Sequence, residues 1–151
     1  MTDGWYETLE DDLVHAVWRQ DLAEVQRLLQ AGAHPNRPGR AWSSAIACAG
    51  ENDRTGDMVR CLVLAGADIN IQDEQGQTPL HWAVDVAVDG AIQTGRDKID
   101  WRVVGVLLDL GANLKIPDQC GRTAEDLVAN YGAAARQSFD GFLKARHDAV
   151  R

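Results

Sequence analysis

The sequence predicts an all-α solenoid, in which short antiparallel helix pairs stack on one another and tight turns project between pairs. Three observations predict it. The pairs Gly32-Ala33, Gly66-Ala67 and Gly111-Ala112 recur in phase, with 34 residues from Gly32 to Gly66 and 45 from Gly66 to Gly111. Each pair follows an apolar run at helical spacing, such as Leu22, Val25, Leu28 and Leu29. The segment Gly76-Gln77-Thr78-Pro79-Leu80-His81-Trp82-Ala83 falls inside that period and opens a helix, with Thr78 as its cap and Pro79 in its first turn. Self-similarity at this period marks a repeat architecture. One such unit cannot bury its apolar face alone, whereas stacked units can.

A period in the low thirties containing T-P-L-H-x-A resembles the ankyrin-repeat family. The resemblance spans about residues 11 to 146. It implies a single domain over residues 1–151, with units at about 8–36, 37–70, 71–115 and 116–147, each built from a β-turn finger followed by two helices.

The first unit lacks a leading finger and is similar to the family's N-terminal capping repeat. Its helices run through Asp11–Trp18 and Asp21–Leu29. Asp11 or Asp12 is expected to cap the first and Asp21 the second, and Gly32 to supply the left-handed end. The second unit is degenerate. Shifted by 34 residues, Ile46 matches Leu80, Ala47 matches His81, and Trp42 replaces the turn glycine Gly76. Its second helix begins at Asp57 after the turn Glu51–Gly56. The third unit carries the full motif, and its second helix is expected over Trp101–Leu108. About twelve extra residues separate its two helices, roughly 88–99, and Asp89, Gly90, Gly95 and Asp97 make part of them loop-like. Val84–Ile92 as a prolonged first helix is the other reading. The fourth unit opens with Asp118-Gln119-Cys120-Gly121-Arg122-Thr123-Ala124, and Phe139, Phe142 and Leu143 are expected to seal its end.

Composition limits the function classes. Acidic residues outnumber basic ones 23 to 15, for a net charge of −8. A phosphate-backbone binder needs clustered cations to displace counterions, so nucleic acid is not expected as a partner. A basic protein would gain association rate from this field, although an acidic surface also serves solubility alone. No run approaches a membrane span, so no membrane partner is expected. Residues 1–7 do not read as a secretory signal, and Cys48, Cys61 and Cys120 have no C-x-x-C spacing. These features predict a cytoplasmic protein with reduced thiols, monomeric when free. Arg over Lys, with abundant Ala, Gly, Asp and Val, suggests a GC-rich bacterial gene.

No candidate catalytic, metal or cofactor site emerges. G-x-S-x-G, P-loop and H-E-x-x-H motifs are absent, and His15, His34 and His147 lack partners at zinc-ligand spacing. His81 is read as structural, bonding backbone groups of the adjoining turn. Asp73 and Asp118 precede their turn glycines by three and are expected to bind finger N–H groups, with Asn36 and Asn70 acting likewise. Trp82 is read as core, and Trp42 as a plug over its short unit or a partner anchor.

In the family the partner-facing positions flank the turn glycine and the end of the first helix. Carried over, they imply Trp18 and Arg19; Arg40, Ala41, Trp42, Ser43, Glu51 and Asn52; Glu74, Gln75, Gln77, Asp85 and Val86; and Gln119, Cys120 and Arg122. Glu74 and Asp85 are expected to be exposed. The surface reads as a polar protein-recognition face. The leading reading is therefore a protein-binding module without catalysis or cofactor, and within it an inhibitor or immunity protein that masks a basic toxin or enzyme. A general adaptor or regulatory subunit is the alternative, and an enzyme using Asp89, Asp97 or Asp100 in the insertion is the reading from a different class.

Overall fold

The computed structural model describes residues 8–40 and 43–151. Eight helices follow one another: α1 Leu9–Trp18, α2 Leu22–Gln30, α3 Ala45–Asn52, α4 Asp57–Leu64, α5 Pro79–Thr94, α6 Arg102–Asp109, α7 Ala124–Asn130 and α8 Ala133–Ala149. Among the described residues the one β-type pairing is an antiparallel bridge between Pro38 and Ser44. Helices α1, α3, α5 and α7 pack side by side in chain order, and α2, α4 and α6 form a second layer behind them. The expected all-α stack is the observed architecture. Ala41 and Trp42 lie outside the described residues.

The core runs the length of the stack because every unit contributes the same apolar face. Leu13, Val17, Val25 and Leu28 of the first unit are buried, as are Ile46, Val59 and Leu62 of the second, Leu80, Val84, Val104 and Leu107 of the third, and Leu127 and Val128 of the fourth. Each such side chain contributes about 1.5–3 kcal/mol when removed from water. The open end is closed by α8. Phe139 is fully buried and sits 5.0 Å edge-on to Trp101, while Phe142 stacks on Trp101 at 5.9 Å. Trp101 completes its burial by donating its indole N–H to Ser138 Oγ at 3.0 Å.

Local chemistry starts and stops the helices. Asp21 caps α2, and Gly32, Gly66 and Gly111 all hold positive φ just past α2, α4 and α6, as the recurring Gly-Ala pairs imply. The cap of α1 differs from expectation: it is Thr8, not Asp11 or Asp12. Asp11 stands at the third helical position and closes a reciprocal capping box with Thr8, so the cap lies three residues before Asp11 and the helix begins at Leu9. The second oxygen of Asp11 accepts the Arg40 N–H at 2.6 Å, tying the second unit to the first.

The structure decides between the two readings of the insertion. Val88–Thr94 is helical, and only Gly95–Asp100 remains as a loop. The prolonged-helix reading holds because Val88 and Ala91, three apart on α5, both find buried positions. Gly95, at φ +62°, ends the helix. Trp82, expected in the core, is half-buried with its indole N–H donated to Asp73 Oδ2 at 2.9 Å.

Successive units are held in register by backbone-directed side chains. His81 is fully buried. Its Nδ1 accepts from the Thr78 N–H at 3.1 Å and lies 2.8 Å from the Thr78 hydroxyl, and its Nε2 lies 3.1 Å from the Arg122 carbonyl oxygen of the next finger. A carbonyl only accepts and a backbone amide only donates, so Nε2 carries the proton. Asp73 and Asp118 bind their own finger N–H groups as expected. Asn36 and Asn70 instead reach across units: Asn36 donates to the Gly66 carbonyl and accepts the Asp68 N–H, and Asn70 makes the same pair with Gly111 and Asn113. Gly76 is required at its finger, since φ is +75° and a Cβ would stand 2.8 Å from the Gln119 nitrogen.

Two outcomes are expected in urea unfolding. His81→Ala leaves the Arg122 carbonyl without its donor and should lower stability by about 2–3 kcal/mol; an unchanged midpoint would show that the contact holds nothing together. Gly90→Ala should raise stability by up to about 1 kcal/mol, because Gly90 lies within α5 and a Cβ there meets no atom within 4 Å; a loss would contradict the helical reading of the insertion.

Candidate functional site

The inner helices present a row of side chains across the stack, each supplied by a different unit. Trp18 ends α1 and is 38% exposed. Its side chain bonds Cys48 on α3, whose thiol is pushed up to about 11 by burial and then by the charge of Glu51. Glu51, one turn beyond Cys48, is half-buried, and burial followed by the neighbouring Asp85 charge holds its carboxyl above the ordinary glutamate value. Asp85 on α5 accepts the Tyr131 hydroxyl at 2.6 Å. Burial, that bond and the charges of Asp85 and Asp89 push the Tyr131 hydroxyl up to about 12. The row therefore runs Trp18, Cys48, Glu51, Asp85, Tyr131, with Asp89 one helical turn beyond Asp85. The Asp85 charge also acts on Arg122 of the fourth finger, and carboxylates set this close favour a further cation between them.

The expected site residues do not form one patch. Trp18, Glu51 and Asp85 belong to the acidic row, with Arg19 beside it at the end of α1. Asp85 is half-buried and hydrogen-bonded, not exposed as expected, because Tyr131 from the last unit closes over it. Glu74, Gln75, Gln119, Cys120 and Arg122 form the tips of the third and fourth fingers. There Gln119 donates its N–H to the Gln75 carbonyl at 3.0 Å and its side-chain amide to the Glu74 carbonyl. Arg122 holds Asp118 at 2.8 Å, and Gln77 donates its N–H to Asp73. Asn52 and Ser43 are half-buried: Asn52 bonds the Cys48 carbonyl and accepts at its own carbonyl from Gln20. Val86 stands apart, 41% exposed on another face of α5, and Arg40 is exposed beside the first unit.

Three members of the row, Cys48, Asp89 and Tyr131, were missed as binding residues. Asp89 is four residues after Asp85, a helical spacing visible once the insertion is read as helix. Tyr131 lies 46 positions from Asp85 and carries no local signal.

Among the described residues no group of three or more His, Cys, Asp or Glu is placed to hold a metal ion, and no helix is long and apolar enough to cross a membrane.

A family model described as ankyrin repeats, in three copies, matches residues 13–118, well over half of the chain. Repeats of this kind bind other proteins and are typically not catalytic. The match ends at Asp118, so the helices of the fourth unit lie beyond it.

The raised Glu51 carboxyl makes a pH-dependent prediction. The folded state holds that proton more tightly than the unfolded chain, so ionised Glu51 opposes folding above its folded pKa, and the cost disappears as pH falls below the unfolded value. Glu51→Gln should thus raise the stability measured by urea unfolding at neutral pH, by less than about 1 kcal/mol since solvent screens a half-exposed group, and the gain should vanish in acid. A gain of equal size at both pH values would contradict the electrostatic origin.

Proposed function

The chain belongs to the ankyrin-repeat family, and on that premise we propose that it is a non-catalytic inhibitor whose acidic row receives a basic segment of a protein partner and masks it. One observation carries this reading: Glu51, Asp85 and Asp89 converge from two units onto one surface, close enough for Asp85 to raise Glu51 and for Asp85 and Asp89 to raise Tyr131. An arginine or lysine placed among them relieves the like-charge repulsion and bonds the carboxylates. Trp18 offers an aromatic face at one end of the row, where a guanidinium can also stack. The net charge of −8 steers such a partner inward.

An inhibitor or immunity role fits a small acidic chain whose recognition surface lies on a rigid stack. Partner, chain and site then form a one-to-one complex, with the chain monomeric before it binds. The adaptor reading shares the same surface and differs only in what binding does to the partner's activity.

Affinity capture with wild-type chain and with a Glu51→Lys, Asp89→Lys variant as baits tests the proposal. The expected result is a basic protein retained by wild type and lost by the variant, whose own enzymatic activity falls when the chain is added. A captured enzyme that keeps full activity would favour the adaptor. Equal retention by both baits would remove the acidic row from the account. The interaction should also weaken as pH falls and Glu51 takes up its proton.

A further inference from the structure

Helix α5 has 16 residues, against 10 in α1, 8 in α3 and 7 in α7. Its extra turns reach past the end of α3 and leave a groove of about 580 Å³. The floor is the α5 face carrying Ala83, Ala87 and Ala91, residues spaced four apart, and Val103 of α6 joins it. The opposite wall is the α3–α4 turn, and the Gly95–Asp100 loop closes the end.

This groove has the opposite charge to the rest of the chain. Arg54, Arg96, Lys98 and Arg102 line it, four of the fifteen Lys and Arg residues in a chain of net charge −8. Two carboxylates also line it, and both are engaged. Asp53 is buried and accepts from the N–H groups of Thr55, Gly56 and Val59. Asp100 pairs with Arg102 at 3.5 Å. Among the described residues no ion pair neutralises Arg54, Arg96 or Lys98. Three like charges held around a small-residue floor repel one another until an anionic occupant enters.

We propose that this groove docks an acidic peptide segment of another protein, with an aliphatic side chain on Ala87 and Ala91 and carboxylates between Arg54, Arg96 and Lys98. The apolar floor distinguishes a peptide from a nucleic acid: it offers no aromatic platform for bases, and a longer polyanion would run onto a negatively charged surface. The site takes a ligand of opposite charge to that of the acidic row, so the two readings fail separately.

Fluorescence anisotropy with the full chain and a short labelled peptide of alternating Glu and Leu tests it. The expected result is saturable, salt-sensitive binding, while the matching Lys–Leu peptide does not compete for this site. Charge reversal of the three cations (Arg54→Glu, Arg96→Glu, Lys98→Glu) should weaken binding by at least about ten-fold. Gly90→Trp should do the same by filling the groove, since a side chain there meets open space and α5 can keep its helix, as unchanged circular dichroism would show. Glu51→Gln should leave binding of this peptide unchanged. No saturable binding, full binding by the charge-reversed or Gly90→Trp variants, or equal competition by single-stranded DNA would overturn the proposal.

Discussion

No helix pair in this chain can bury its own apolar face, and the whole molecule depends on each pair meeting the next in register. Leu80 and Val84 of α5 reach zero or near-zero exposure only because α3 and α7 stand on either side. Burial supplies the favourable energy but is tolerant of small slips. Hydrogen bonds are not, and they are what set the register here. Between the first two units the ties are Asp11 to the Arg40 N–H, Gln20 to the Asn52 carbonyl, and Asn36 to Gly66 and Asp68. Asn70 repeats the asparagine tie to the third unit. Between the third and fourth, His81, Gln72 and Gln119 bond the neighbouring backbone.

The same requirement explains where the stack departs from its own pattern. The second unit has Ala47 where the third has His81, so it forgoes one tie to the following finger. Its α3 is packed closely against α5 instead, with Gly50 set so near Pro79 that a Cβ would stand 2.4 Å from its carbonyl oxygen. The last unit has no successor, and α8 takes that place with Phe139 and Phe142 against Trp101. Once the register is rigid, side chains from separate units can be held at fixed spacing, and this is how Glu51, Asp85 and Tyr131 come together from three of them.

Much of the scaffold was legible because its determinants are local. Thr78, Pro79 and His81 act within one helical turn, and Asp73 and Asp118 bind N–H groups two to four residues away. The recurring Gly-Ala pairs mark left-handed helix ends in the same way. One cap was missed although its signal is local, and the choice between the two readings of the insertion depended on tertiary partners. Thr8 lies three residues before Asp11, a capping-box spacing overlooked because the acids themselves looked like caps. Gly90 and Asp89 resemble loop residues, but Val88 and Ala91 find burial only in the stack, and that outweighs a cost of about 1 kcal/mol for a helical glycine. The candidate site was half legible: family positions pointed to Trp18, Glu51 and Asp85, while Asp89 and Tyr131 join them only through the length of α5 and a contact across two units.

The central claim is that recognition is built on top of a register that it does not itself maintain. The most direct measurement is a two-dimensional amide NMR titration of the chain with a short arginine peptide. The account predicts shifts concentrated at Glu51, Asp85, Asp89 and Tyr131, with the α2 and α4 amides unmoved. Shifts spread through α2 and α4, or absent from the acidic row, would contradict it.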